Sequence, residues 1–215
     1  EHLTKDYLIA LRQLSVNRLS VGVQSFDDKA LQWLGRTHTA SMSANALRLA
    51  FEYGFDNITA DLIFGIPEVS VEKDIANFLL FNLPHISAYA LTVEPQTALA
   101  MHIQKGRVQS LDDDSISDDF LMVMQLLQEA GYEQYELSNY AKNGLRSKHN
   151  SGYWQQKKYI GVGPSAHSYN GEYRCWNVNN MKEYIRQTLS GNLPKSCELI
   201  TREMAFNEYV MLALR

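Results

Sequence analysis

Cysteine is nearly absent from this 215-residue chain: there are two, Cys175 and Cys197, in no CxxC or CxxxCxxC spacing. They make neither a disulfide framework nor a set of cysteine ligands for an iron–sulfur cluster, and a cytoplasmic, reducing compartment suits them most simply. Also missing is any apolar run of the roughly 18 residues that cross a bilayer. The opening EHLTKDYLIALRQL is amphipathic and carries acidic charge, unlike a signal peptide. Neither sign of charge prevails. The net charge of −4 gives no global attraction to nucleic acid or to an anionic membrane, so no nucleic-acid partner is expected. The histidines, at positions 2, 38, 85, 102, 149 and 167, form no HxxxH or similar metal-binding pair. No repeat and no low-complexity tract is visible.

What is present is 45% hydrophobic and 20% charged, the profile of a globular chain able to bury one core, with a small appendage. Tyr7, Leu8, Leu11 and Leu14 recur at three-to-four spacing and predict a helix, and RLSVGVQ after them reads as a short buried strand. DDKALQWLG and TASMSANALRLAFEYGF open on Asp or Thr capping residues and end at glycine, as helices do. NITADLIFG is a second strand and SVEKDIANFLLFNL a helix. HISAYALTV is a nearly unbroken apolar run, as expected of a third strand covered on both faces. Residues 95 to 114 are expected as a loop closing on DDDS, a solvated cap for the helix through FLMVMQLLQEAGY, with YEQYELSNY as a fourth strand. Strand and helix alternate, which implies right-handed βαβ units and a parallel sheet, open or closed into a barrel. Both ends of the chain look cut, the first for want of a Met and the last because TREMAFNEYVMLALR stops inside a helical run.

In such sheets ligands sit at the C-terminal ends of the strands, where Gln24 and Ser25, Asp61 to Pro67, Thr92 to Pro95 and Ser138 onward converge. Arg36 offers a planar fork for a carboxylate, Asp61 an acceptor for ribose hydroxyls, and Gln24 a partner for an amide or a purine edge. That set suits a nucleoside with an amino-acid tail; each residue alone reads equally as a cap or a salt-bridge partner. Gly161 and Gly163 in YIGVGPSAHSY lack the continuation of a dinucleotide fingerprint and fit the packing of a bend, with His167 beside them. Beyond residue 138 the alternation stops, and the long loop expected through HNSGYW points to function or to a lid. There His149 is a candidate axial ligand for heme iron, Tyr153 and Trp154 are faces for a porphyrin, and Arg146 and Lys148 can receive propionates. The same aromatics can instead seal a core, with His149 and Asn150 satisfying buried backbone groups.

Taken in order, RLSVGVQSFDDKALQWLGRTHT, FDNITADLIFGIP, HISAYALTVEPQT, AGYEQYELSNYA, KHNSGYW and YIGVGPSAHSYNG carry a resemblance across essentially the whole chain. It resembles the radical S-adenosylmethionine proteins of the oxygen-independent coproporphyrinogen III oxidase group. The resemblance implies an α/β fold, the later strands of a partial (β/α)6 TIM-like barrel over residues 1–170, with residues 171–215 leading into a small C-terminal domain. Gln24, Arg36 and Asp61 fall on positions that contact S-adenosylmethionine in the group, and Thr92 and His167 match further pocket positions. HNSGYW matches the HNxxYW signature of the heme-chaperone branch, which puts His149, Asn150, Tyr153 and Trp154 at a heme site with His149 toward the iron.

The cofactors implied are S-adenosylmethionine, a [4Fe–4S] cluster and heme. The group's CxxxCxxC motif and the glycine-rich strand end for the cofactor's amino-acid moiety are missing and are expected upstream of Glu1. Without them this chain cannot assemble the cluster, and no residue here is expected to be catalytic. The function implied is binding heme and passing it to a recipient protein. Its rival is radical oxidative decarboxylation of coproporphyrinogen III to protoporphyrinogen IX, and HNSGYW favours the chaperone. Heme or a porphyrinogen and a heme-recipient protein are thus the expected partners, with a membrane-associated recipient and a homodimer left open.

Overall fold

A computed structural model describes residues 3–95, 97–106 and 112–214. The chain forms two compact units, Glu1–Arg146 and Ser147–Arg215. The boundary expected at residue 170 lies inside the second.

The first unit opens with α1 (Lys5–Gln13), β1 (Arg18–Gln24), α2 (Asp28–Trp33), α3 (Ala40–Glu52), β2 (Asn57–Phe64), α4 (Val71–Leu79) and β3 (His85–Ala90). Each of these helices starts at a side-chain cap: the Thr4, Asp27, Thr39 and Ser70 oxygens accept from backbone N–H groups two or three residues ahead. Strand β1 pairs with β2 and β2 with β3, all parallel, as the alternation predicts. Helix α5 (Ala98–Gln104) follows, where the sequence reading placed only loop; the Thr97 hydroxyl caps it by accepting from the Ala100 N–H. The rest of that expected loop, at residue 96 and at 107 to 111, lies outside the described residues. Then comes α6 (Asp113–Glu129), which starts at the exposed Asp112, expected as a cap; its side chain makes no capping hydrogen bond.

The fourth strand departs from expectation. YEQYELSNY does not run as one parallel strand but folds back at Leu137 and Ser138 into β4 (Glu133–Glu136) and β5 (Asn139–Ala141). Strand β5 inserts antiparallel beside β3, pairing Ser87 with Asn139, and the Ala88 N–H donates to the Ser138 carbonyl at 2.8 Å. The sheet order is therefore β1-β2-β3-β5-β4. A two-residue reversal inside a nine-residue run leaves the apolar pattern almost unchanged, so periodicity alone does not expose it.

One face of this sheet carries the core. Ile58, Leu62, Phe64, Ile86 and Tyr140 pack against Leu8, Leu47, Ile75, Phe78, Val123 and Leu127 from the helices. Each such fully buried side chain contributes about 1.5–3 kcal/mol. Side chains alternate along a strand, so the neighbours of these residues point to the opposite face.

The second unit holds α7 (Lys148–Trp154), β6 (His167–Tyr169), β7 (Tyr173–Asn177), α8 (Met181–Leu189), β8 (Lys195–Leu199) and α9 (Arg202–Ala213). Its antiparallel sheet has the order β6-β7-β8. Gly161 sits in the bend before β6 because a Cβ there would meet the His167 carbonyl oxygen at 2.1 Å. Asn177 ties the bend by donating to the Gly163 carbonyl at 2.9 Å. Cys175 and Cys197 face each other across β7 and β8 and are joined in a disulfide, against the expectation of unpaired cysteines. Their distance in sequence hides a pairing that only the strand register creates. No helix among the described residues is long and apolar enough to cross a membrane.

Candidate functional site

The other face of the first sheet is polar because polar residues recur at every second position. Arg18, Ser20 and Gln24 lie on β1, Asn57, Thr59 and Asp61 on β2, and His85, Ser87 and Tyr89 on β3. Most are hydrogen-bonded to one another, though the buried His85 Nδ1 has no hydrogen-bond partner. Arg18 donates to the side chains of Asn57 and Thr59, the latter at 2.7 Å, and Asp61 is hydrogen-bonded to Ser20 and Ser87. Ser87 Oγ donates to Asn139 Oδ1 at 2.6 Å, and Asn139 donates in turn to Glu136. His85 Nε2 lies 2.7 Å from the Tyr135 hydroxyl. The third strand is therefore not apolar on both faces: His85 and Ser87 are buried within a hydrogen-bonded network, which is how buried polar groups are tolerated.

Burial sets the charges here. It pushes the Asp61 carboxyl up to about 6, with hydrogen bonds to Ser87 and Ser20 pulling the other way. It pushes His85 down to about 3, helped by the Arg18 guanidinium, so this imidazole is neutral across the physiological range. A shifted carboxyl half-buried beside hydroxyls on a parallel strand is a feature functional sites share, which keeps Asp61 a candidate.

Gln24 ends β1 in the left-handed region at φ 70°, where the register with β2 shifts, and its amide folds back over Gly22. Non-glycine residues seldom adopt this conformation, and they concentrate at sites. The loop that follows is pinned from behind by Asp74 of α4: its buried carboxylate accepts from the Ser25 hydroxyl and from the Phe26 N–H at 2.6 Å. His38 Nε2 lies 3.1 Å from the Val23 carbonyl and ties the loop after α2 to the end of β1. Arg36 stands exposed in that loop. Thr92 is exposed just past β3, its hydroxyl donating to the Ala90 carbonyl at 3.3 Å. The first unit thus gathers Gln24 and Asp61 on one sheet face, with Thr92 and Arg36 on loops that leave strand ends.

HNSGYW is a helix, not a loop. The Ser147 hydroxyl accepts from the Asn150 N–H and starts α7, a cap that a weak apolar period conceals. Four residues apart on this helix, His149 and Tyr153 are both exposed and meet edge to face, centroids 4.8 Å apart. Tyr153 meets Tyr159 in the same way at 4.7 Å. Asn150 and Trp154 are half-buried. A cavity of about 340 Å³ opens beside the helix, lined by Tyr153, Trp154, Tyr159, Tyr169, Arg174 and Glu208 among others. At its wall the Arg174 guanidinium pairs with Glu208 at 2.7 Å. Arg146, expected to receive a propionate, is instead ion-paired with Glu133 and stacked on Tyr135 in the first unit. Lys148 is exposed at the start of α7.

His167 belongs to the second unit, exposed on β6 and tilted on the Trp176 ring at 6.2 Å. With Ser165, Asn177, Gln187 and Lys195 it lines another cavity, of about 620 Å³.

The residues present do not fit an iron–sulfur cluster: both cysteines are spent on each other. Among the described residues no group of three or more His, Cys, Asp or Glu is placed to hold a metal ion. A carboxyl such as Asp61 can accept hydrogen bonds from ribose hydroxyls, so a nucleoside stays a candidate ligand for this face. Sequence reasoning missed Arg18, Ser20, Thr59, His85, Ser87 and Tyr89. Their two-residue spacing was the signal.

Residues 1–79 match the family model of the Radical SAM superfamily. By that match the first 79 residues are radical SAM-like, and along its whole length the chain is similar to proteins named heme chaperones. Among particular proteins, it is 36% identical to the heme chaperone HemW of Bacillus subtilis over 219 residues, which cover 100% of this chain and 58% of that protein. With HemW of Escherichia coli it shares 40% over 166 residues, covering 75% of this chain and 43% of that protein. The solved structure of coproporphyrinogen III oxidase (HemN) from Escherichia coli, a radical SAM enzyme, matches with a TM-score of 0.79 at 21% identity, covering 100% of this chain and 53% of that one. That likeness shows the fold alone. The chain spans a little over half the length of the relatives it matches end to end.

Proposed function

We propose that this chain belongs to a heme chaperone, a protein that binds heme and passes it to recipient proteins from a radical SAM framework. The observation that carries this reading is α7: an exposed imidazole at His149, steadied edge-on by Tyr153, beside an aromatic-lined cavity. An imidazole ring free on one side is a common axial ligand for heme iron, and aromatic walls take up a flat macrocycle. Asn150 and Trp154 complete the proposed site, and the relatives named heme chaperones support it.

S-adenosylmethionine is the proposed resident cofactor, held by Gln24, Arg36, Asp61 and Thr92 of the first unit; His167, the other residue expected for it, belongs to the second. Asp61 would accept from the ribose hydroxyls and the Arg36 fork would take the carboxylate. A [4Fe–4S] cluster is proposed for the longer protein, on residues outside this chain. A cytoplasmic location, a membrane-associated recipient and a homodimer stay at the same level of proposal.

The test is a heme titration of this chain followed at the heme absorbance band. The expected result is a shifted band, weakened at least several-fold by His149→Ala; an unchanged titration in that variant removes His149 as ligand. Anaerobic product analysis of the full-length protein with coproporphyrinogen III is expected to yield no vinyl product. Its appearance would make the protein an oxidase.

A further inference from the structure

Strand register puts a cation on the wall of the cavity beside α7. Arg174 of β7 lies opposite Tyr169 on β6 and opposite Glu198 on β8, so the three side chains share one face of the small sheet. Tyr169 and Arg174 line the cavity together with Tyr153 and Trp154 of α7 and with Glu208 and Met211 of α9. Its volume of about 340 Å³ falls in the range of small-molecule sites, about 300–1,000 Å³. Most of the wall is aromatic or aliphatic, and its charged residues are Arg174 and Glu208.

These two are partners. Arg174 Nη2 donates to Glu208 Oε1 at 2.7 Å, while its Nη1 stands 3.5 Å from Glu198 Oε1. The two carboxylates hold the guanidinium differently. Glu198 is kept beside it by the pairing of β7 with β8 and lies outside the cavity wall. Glu208 comes from a helix, lines the cavity, and is 25% exposed, so its carboxylate can turn to water. A pair this near solvent is weakly held. Heme carries carboxylates on one edge, its propionates, and a guanidinium fork is the group that suits them. The cations expected for that role are placed elsewhere: Arg146 is ion-paired with Glu133 in the first unit, and Lys148 begins α7 outside the cavity wall.

We propose that Arg174 is the propionate-binding residue of this cavity, and that Glu208 is a positioning residue whose carboxylate exchanges with a heme propionate on the same guanidinium. This role rests on the reading of α7 as a heme site, and it names the group that recognises the acid edge of the ligand. No covalent bond changes in the exchange. The Arg174–Glu208 hydrogen bond breaks, an Arg174–propionate hydrogen bond forms, Glu208 turns to water, and Glu198 keeps the guanidinium aimed. One ion pair replaces another, so apolar contact with the ring supplies most of the affinity and the carboxylate supplies orientation. A flat apolar ligand without an acid group gains nothing at Arg174.

The test compares hemin with hemin dimethyl ester, which keeps the iron and the ring but has no free carboxylate, each titrated into this chain and followed at the absorbance band. What is read is the ratio of the two affinities, acid over ester, because a variant that only disturbs the cavity moves both alike. Arg174→Gln should lower the ratio about three- to tenfold. Arg174→Lys, which keeps the charge but not the fork, should fall between it and the wild type, and carries the test should Arg174→Gln not fold. Glu208→Gln should raise the ratio about two- to fivefold, and Glu198→Gln by less. A ratio unmoved by substitution of Arg174, or one that falls in Lys148→Ala instead, overturns the assignment of Arg174. A ratio unmoved by Glu208→Gln, or raised as much by Glu198→Gln, overturns the exchange. Binding of neither compound by the wild type removes the heme reading and the Arg174 assignment together; binding of both with an unresponsive ratio removes the Arg174 assignment alone.

Discussion

His149 and Tyr153 stand one helical turn apart on α7 with their rings at 84°, edge to face. The contact restrains an exposed imidazole that would otherwise sample several rotamers, and Tyr153 is itself restrained by Tyr159. Such pairs are worth about 0.5–1.5 kcal/mol. Tyr153→Ala should therefore weaken heme binding by about two- to tenfold while leaving the iron ligand in place, so the bound spectrum keeps its shape. His149→Ala should change the spectrum itself. A paired titration of the two variants separates steadying from ligation.

Asp61→Ala removes a half-buried acceptor that two serines already satisfy. In the full-length protein, S-adenosylmethionine affinity should fall by about 1–3 kcal/mol, roughly five- to 150-fold. Calorimetric titration measures this, and wild-type affinity would take Asp61 out of the pocket.

Acid sensitivity follows from two groups with opposite signs. His85 is lowered to about 3, so the stability it contributes is full above its ordinary value near 6.5 and is lost as pH falls toward 3. Asp61 is raised to about 6, so its contribution is full below its ordinary value near 3.8 and is lost as pH rises through 6. Between pH 4 and 6 the two slopes oppose. Asp61→Asn deletes the second, so relative to wild type the variant should gain stability as pH rises across that window, by up to about 3 kcal/mol in all. Urea unfolding at several pH values reads the difference; parallel curves for the two proteins would refute the assignment.

Asp74 serves the site from behind. Its carboxylate satisfies a serine hydroxyl and a backbone N–H in the turn that carries Gln24 onward into α2. Asp74→Ala strands both donors in a buried place and should cost about 2–4 kcal/mol, measured by chemical denaturation. Asp74→Asn keeps one acceptor and should cost less.

The parallel strands and their capped helices were legible because local rules govern them: Thr39 and Ser70 cap what their neighbours begin, and RLSVGVQ and NITADLIF are bounded apolar runs. Gln24, Asp61 and Thr92 were legible as strand-end residues for the same reason. The Leu137–Ser138 reversal and the short helix at HNSGYW were not, since elements of three to seven residues are decided by pairing and capping rather than by periodicity.

By itself the sequence determined where strands and helices alternate, which residues end the strands, and which aromatic motif surrounds His149, because these depend on neighbours along the chain. Tertiary structure alone decided that Ser87 meets Asn139, that Cys175 meets Cys197, and that Asp61 sits among hydroxyls with its acidity weakened. Each of these joins residues from different strands, where register and burial fix distance and dielectric, and neither quantity is written in any local stretch of residues.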